Sequence, residues 1–277
     1  MKIKNLVKLK YDIDSIENRD PEFIHKLLIK IRPFMDKFFK PEVRGLDNIP
    51  KDSSLFVGNH NSGMLTPDSF IFGAAVIDKF GLEKLPYGLA HTTAISIPIL
   101  HHLAVPLGAI RASHENAKIL FENGKNVIVY PGGDMDAMRS YKERNRVIFG
   151  GRMGYIRLAL NHGVPIIPVV SAGAHTTFLV LNDGKSIAKF FKLDKYLRIK
   201  VWPITLSLPW GLTFGPPPPH FPMPTKITIE VLNPIIFERT GKEAAKDEQY
   251  VSLCHERVLN TMQSKLDQLV SEQKNRP

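Results

Sequence analysis

The 277-residue chain has a single cysteine, Cys254, which excludes an intramolecular disulfide framework and a cysteine-rich zinc site. It has no run approaching the ~18 consecutive apolar residues that a spanning helix needs. Its first residues lack an apolar stretch followed by a small-residue cleavage site, so no secretory signal is expected. Several signatures are missing too: His-Glu-x-x-His, a phosphate loop ending in Gly-Lys-Ser/Thr, GxGxxG and GxSxG. His101 and His102 are adjacent and point apart in regular structure. Asp134 and Asp136 have a metal-like spacing, but nothing around them completes a site, and no metal is expected. Acids are the scarcer charge, 27 against 37 lysines and arginines, for a net charge of +10. That balance favours an anionic partner: nucleic acid, a membrane surface or a phosphate-bearing substrate. No nucleic-acid recognition motif accompanies the charge, and no nucleic-acid partner is expected.

The pattern that is present predicts an α/β fold. Ser54–Val57, Ala104–Leu107, Val127–Tyr130 and Ile166–Val170 read as short strands, with helical stretches at Pro67–Phe80, His114–Glu122 and Gly154–Asn161. Such alternation favours a single domain with a largely parallel central sheet flanked by helices. A last strand is expected at Lys226–Val231. The expected organisation is an N-terminal amphipathic helical region over 1–41, a catalytic domain over 42–240 and a C-terminal helix over 241–277. In residues 20–40, Asp20 is placed to cap a helix and Pro21 to occupy its first turn. Phe23, Ile24, Leu27, Leu28, Ile31, Phe34, Met35, Phe38 and Phe39 then share a stripe opposite Lys26, Lys30, Lys37 and Lys40, with Pro33 expected to kink the helix. This is the composition of a helix lying in a lipid interface, or of one packed on the domain with a solvated basic face. Val201–Gly215 is almost uncharged and broken by prolines; its tryptophans, Trp202 and Trp210, suit either a buried connection or the headgroup region of a membrane. Pro216–Pro219 reads as a rigid extended stretch.

Three strand ends carry candidate chemistry, because parallel strands aim their following loops at one crevice. Gly58-Asn59-His60-Asn61-Ser62-Gly63 follows the first strand, and His60 can accept a proton near neutrality. Asp68, at the start of the next helix, is placed to hold its imidazole. Tyr130-Pro131-Gly132-Gly133-Asp134 is a turn that lets backbone N–H groups approach a phosphate or an oxyanion. Arg139 and Arg152 follow it. Arg111 and His114 lie at a further strand-to-helix junction and can donate to an anion, although Ser113 there also reads as a helix cap.

These motifs, in this order and followed by Val164-Pro165-Ile166-Ile167-Pro168, resemble the glycerolipid acyltransferase superfamily over residues 42–235. Asn59-His60 matches the family's Asn-His-(x)4-Asp motif. Tyr130-Pro131-Gly132-Gly133 stands at Phe-Pro-Glu-Gly, and Val164–Pro168 matches the Val-Pro-Ile-x-Pro strand. Two departures stand out: Asp68 lies three residues beyond the family spacing, with Ser62–Met64 as the inserted stretch, and Gly132 replaces the glutamate. Tyr-Pro-Gly-Gly-Asp continuing to Arg152-Met-Gly-Tyr-Ile-Arg-Leu-Ala looks like the branch of mono- and diacylglycerol acyltransferases.

The resemblance implies transfer of a fatty acyl group from acyl-CoA or acyl carrier protein, as co-substrate and with no cofactor, to a glycerolipid or lysophospholipid hydroxyl. It implies His60 as base and Asp68 as its orienting partner. Arg111, His114, Gly132, Gly133, Asp134, Arg139 and Arg152 become candidates for substrate binding. An anionic membrane surface at the cytoplasmic face is the expected location. A lipid or thioester hydrolase on the same scaffold and a non-catalytic lipid-binding protein are the competing readings.

Overall fold

Leu55, Phe56 and Val57 are all fully buried, although successive strand residues point to opposite faces. The sheet that holds them must therefore be covered on both sides. The computed structural model describes residues 9–61, 63, 66–192, 201–215, 218 and 220–275. Among these, seven strands form the central sheet: β1 (Glu42–Arg44), β2 (Leu55–Gly58), β3 (Tyr87–Ala90), β4 (Ala109–Arg111), β5 (Val127–Val129), β6 (Ile166–Ala172) and β10 (Thr228–Val231). A second, antiparallel sheet holds β7 (Leu179–Asn182), β8 (Ile204–Ser207) and β9 (Gly211–Phe214). The helices are α1 (Pro21–Phe39), α2 (Pro67–Phe80), α3 (Thr92–Ile95), α4 (Pro98–Ala104), α5 (His114–Glu122), α6 (Gly133–Ala137), α7 (Gly154–His162), α8 (Lys185–Phe190), α9 (Lys242–Lys246) and α10 (Glu248–Lys274).

The spatial order of the large sheet is β1-β10-β6-β2-β5-β3-β4. Strands β6, β2, β5, β3 and β4 run parallel, and β10 runs antiparallel beside β6. This is the largely parallel, helix-flanked α/β sheet expected. Chain order doubles back over β2, so β2 and β5 lie side by side with Val57 opposite Val129, and the loops after them share one crevice.

The core has two halves, one on each face. Leu55 and Val57 join Leu120, Ile156, Leu160 and the inner side of α10. Phe56 points the other way, into Phe39, Phe72, Val76, Ile167 and Ile229. Helix α1 forms as its sequence requires: Asp20 accepts from Phe23 N at 2.9 Å, Pro21 sits in the first turn, and the helix runs on through Pro33. Much of its apolar stripe packs on the domain, with Ile24, Met35 and Phe39 buried, leaving Ile29 and Phe34 as its exposed large apolar residues. The packed reading of this helix fits its burial better than the interfacial one.

Four expectations differ from the fold. The strand expected at Ala104–Leu107 is instead the end of α4 and a turn, in which Leu107 N donates to Ala104 O and Gly108 N to Val105 O. Gly108, at φ +102°, then swings the chain into β4, four residues later than expected. Strands β1 and β3 do not read as apolar runs, because Glu42 and Arg44 flank Val43 in one and Gly88 interrupts the other. The C-terminal helix is divided at Asp247, whose side chain caps α10 by accepting from Tyr250 N. The uncharged 201–215 segment is not a buried connection: it forms β8 and β9, with Leu206, Leu212 and Phe214 exposed. Residues 1–8, Ser62, Met64 and most of Pro216–Pro219 lie outside the described residues.

Candidate active site

The end of β2 is built around contacts that admit only small or amide-bearing residues. A Cβ on Gly58 would stand 2.5 Å from a ring carbon of Tyr130, so glycine lets the tyrosine lie across the strand end. Asn59 follows with a two-point clamp: its Nδ2 donates to Ser171 O and its Oδ1 accepts from Ser171 N, both at 2.9 Å. That pair replaces a lost rung of the ladder and ties the loop to β6. His60 comes next, its ring 5.1 Å from the Tyr130 ring, centroid to centroid. The imidazole thus stands beside the residue that opens the glycine turn after β5.

The backbone of His60 is gripped at both ends. Its N–H donates to Asp136 Oδ2 at 2.6 Å, and its carbonyl accepts from Arg139 Nη1 at 2.7 Å. Asp136 and Arg139 are both fully buried and pair with each other at 3.1 Å. Asp136 also accepts from Ile148 N. Arg139 spends every donor internally. Nε goes to Glu143 O, Nη1 to His60 O and to Asp136, and Nη2 to Asn61 Oδ1 and Arg144 O. A guanidinium in this condition has no N–H left for a substrate phosphate. Arg139, read from the sequence as a substrate ligand, is a fastener holding the His60 loop to α6.

Burial dominates the electrostatics. It pushes the His60 imidazole down to about 4, with the positive Arg139 adding to the shift, so at physiological pH the ring is neutral and able to accept a proton, although a weaker base than a solvated imidazole. Its Nδ1 is buried and makes no hydrogen bond. Burial pushes the Asp136 carboxyl up to about 6, against the pull of Arg139 and of two backbone N–H groups. The Arg139 guanidinium is lowered by burial and held up by Asp136.

Asp68 takes its expected place in the first turn of α2 and is buried, which raises its pKa. Its carboxylate accepts from Asn61 Nδ2 at 2.7 Å and from Ser69 N at 3.1 Å. The imidazole Nδ1 is not among its partners. Asp68 therefore reaches the loop through Asn61, which passes the contact on to Arg139 at 2.6 Å. Gly132 and Gly133 form the turn for steric reasons. A Cβ on Gly132 would stand 2.3 Å from Asp136 Cβ and from Ile148 O, and Gly133 has φ +51°. Arg152 secures this turn by donating to Gly132 O at 2.5 Å and to Asp134 Oδ1 at 2.7 Å.

Arg111 and His114 are not brought to His60. Strands β5 and β3 separate β4 from β2. Arg111 donates to Asp14 Oδ1 at 2.6 Å and holds the N-terminal segment, while Ser113 caps α5 by accepting from Asn116 N, leaving His114 exposed. Sequence reasoning noted Asn59 only as part of the Asn-His motif and Asp136 only for its spacing from Asp134, and it gave no role to Asn61 or Ser171. Asp136 left one further signal, an acid three residues before an arginine in a helical turn.

No group of three or more histidine, cysteine, aspartate or glutamate side chains among the described residues is arranged to hold a metal. The arrangement offers a neutral imidazole, fixed through its backbone, next to a turn rich in backbone N–H groups, which is the equipment of acyl transfer.

Comparison with known proteins agrees. An uncharacterized protein of Mycobacterium tuberculosis is 26% identical over 266 residues, covering 96% of this chain and 71% of that protein. Diacylglycerol O-acyltransferase 2 of Xenopus laevis is 24% identical over 254 residues, covering 85% of this chain and 66% of that protein. The crystal structure of the 1-acyl-sn-glycerophosphate acyltransferase PlsC from Thermotoga maritima shares the fold, with a TM-score of 0.52 and 19% identity over 94% of this chain and 85% of that one. The diacylglycerol acyltransferase family model matches residues 3–276, nearly the whole chain, and the chain belongs to that family.

Proposed function

We propose that this glycerolipid acyltransferase moves a fatty acyl group from a thioester, acyl-CoA or acyl carrier protein, onto the hydroxyl of a glycerolipid-like acceptor at a membrane surface, with His60 as the general base. The observation that carries the reading is the neutral imidazole of His60 beside Tyr130 and the glycine turn, its loop fastened by Asp136 and Arg139.

In this mechanism the imidazole takes the proton of the acceptor hydroxyl as that oxygen attacks the thioester carbonyl carbon. The resulting oxyanion is stabilised by backbone N–H groups of the glycine turn other than that of Gly133, which donates to Tyr130 O at 3.0 Å. Collapse breaks the C–S bond, and the departing sulfur takes the proton back from the imidazolium. General base catalysis of this kind supplies roughly 10²–10⁴-fold, and orientation and oxyanion stabilisation supply the rest. Asp68 serves as a positioning residue acting through Asn61, and Arg152 with Asp134 keeps the turn in shape.

The test is thiol release from long-chain acyl-CoA, or from acyl carrier protein, with and without a panel of mono- and diacylglycerols, lysophospholipids and long-chain alcohols. Release that requires an acceptor, yields an esterified lipid and disappears in His60→Ala supports the reading. Fatty acid release without acceptor identifies a hydrolase instead, and full turnover in His60→Ala removes the base from its role.

A further inference from the structure

In an antiparallel sheet with one face packed and one face wet, apolar side chains point inward and polar ones outward. The β8–β9 hairpin is built the other way round. Along β8 and β9 the buried positions are polar: Thr205 is fully buried, its hydroxyl bonds that of Thr213 across the strands at 2.5 Å, and Ser207 is buried as well. The outward positions are apolar. Leu206 and Leu212 face each other across the ladder, Phe214 stands opposite Ile204, and Leu208 extends the row. Leu208 and Phe214 are 67% and 65% exposed. Trp210 sits exposed in the turn between the two strands. Single exposed apolar residues are ordinary, but a contiguous outward row on a hairpin whose inner row is polar marks a surface made to be covered.

We infer that the outward face of the β8–β9 hairpin seats the enzyme on an anionic lipid bilayer, which deepens and rests on the interfacial reading proposed above. Charge selects this occupant. Helix α8 leaves the end of β7 and is tied to the approach to β8 by the bond from Trp202 N to Asp183 O. It carries exposed Lys185, Lys189 and Phe190, and exposed Phe191 and Lys192 follow it directly. An apolar patch with a lysine rim matches acyl chains beneath anionic headgroups. A second copy of a chain with net charge +10 would bring like charge to the same rim. Trp210 at the hairpin tip has the amphipathic ring suited to the headgroup level.

The sheet's other side explains why docking there serves the site. Val180 of β7 clusters with Phe178, Ala137 and Met138, directly after Asp136 in the chain. One layer of sheet thus separates the lipid face from the turn that fastens His60, and seating the sheet on a bilayer brings the catalytic loops to the membrane without a spanning helix.

The test uses the full chain without substrate. Flotation with phosphatidylcholine vesicles, with and without phosphatidylglycerol, is compared for the wild type and for a Leu206→Glu/Phe214→Glu variant, both carrying Trp202→Phe so that Trp210 reports alone. The expected results are binding that strengthens with phosphatidylglycerol, a loss of at least about tenfold in the glutamate variant, and quenching of Trp210 emission by brominated lipid. Thermal unfolding checks that the variant is folded; if it is not, Leu208→Ser/Leu212→Ser takes its place. Undiminished flotation of a folded variant, or unquenched Trp210 in floated protein, overturns the proposal. So does a dimer in solution that the glutamates dissociate, which would make this face a contact between copies. A chain that floats as expected yet transfers no acyl group leaves the docking face standing and removes the acyl-transfer reading.

Discussion

Arg139 has no free donor, and that determines how it responds to substitution. Removing one partner of a buried ion pair leaves the other uncompensated, at a cost of about 3–5 kcal/mol. Arg139→Met strands the Asp136 carboxylate and also releases the carbonyls of His60, Glu143 and Arg144. Denaturant unfolding should show a loss of that size, and Arg139→Lys should recover only part of it, because an ammonium cannot reproduce five planar donors. A double change, Asp136→Asn with Arg139→Met, should cost clearly less than the sum of the two singles. If the singles add and each is small, the pair is not holding the loop. The sequence singled out His60 and the glycine turn, which the fold brings side by side, since histidine and paired glycines have chemistry that shows in isolation. It misassigned Arg139 because burial is not a local property: beside the nearby Asp136, Glu143 and Arg144, the distant His60 and Asn61 decide that this arginine faces carbonyl and amide oxygens and not substrate.

His60 also carries a pH signature. Its folded value, about 4, lies below the ordinary 6.5, so the folded chain binds fewer protons than the unfolded chain between those limits. Its contribution to stability is therefore intact above 6.5 and declines as pH falls towards 4. The same shift places the acidic limb of kcat/KM near 4 and not near 6.5, provided the chain remains folded. A profile that falls with a midpoint near 6.5 would mean the imidazole is solvated during turnover.

At the scale of elements, the sites of agreement and disagreement have a common cause. Helices α2 and α5 have the bounds their patterns predict, because each begins with a strong start signal, Pro67 or the Ser113 cap, and keeps helical spacing throughout. The stretch before β4 was misread because a short apolar run between turn residues suits a strand and a buried helix equally. The outward-apolar hairpin was legible as greasy sequence but not as a sheet, since Pro203 and Pro209 interrupt it and its alternation is inverted. The glycine turn offers the sharpest test at this scale. Gly132→Ala sets a Cβ against Ile148 O and Asp136 Cβ, where backbone must move. The expected outcome is a folded but loosened protein with kcat reduced at least about tenfold, since misplacement of a site by about an ångström costs around a hundredfold. Wild-type kcat in Gly132→Ala would show that the turn is not part of the site.

For the molecule as a whole, the question is whether the C-terminal helix is an appendage or a wall of the domain. Helix α10 is amphipathic, and its inner stripe, Val251, Cys254, Val258, Met262, Leu266 and Leu269, is at most 4% exposed. These residues lie in the same cluster as Leu55 and Val57 of the central strand. Fully burying one aliphatic side chain contributes about 1.5–3 kcal/mol, so five of them and the cysteine supply on the order of 10 kcal/mol. That equals most of the 5–15 kcal/mol by which a domain is normally stable. Removing the helix would also uncover part of the sheet face it packs on, where Ile166, Val170 and Ala172 of β6 share its cluster. A chain ending at Asp247 should accumulate as insoluble material or as a state without a cooperative thermal transition. The same cut should abolish acyl transfer, because the strands that carry the His60 loop and the glycine turn lose their packing. A truncated chain that melts cooperatively near the full-length temperature would show that the sheet does not depend on this wall, and the six buried side chains would then require a different account.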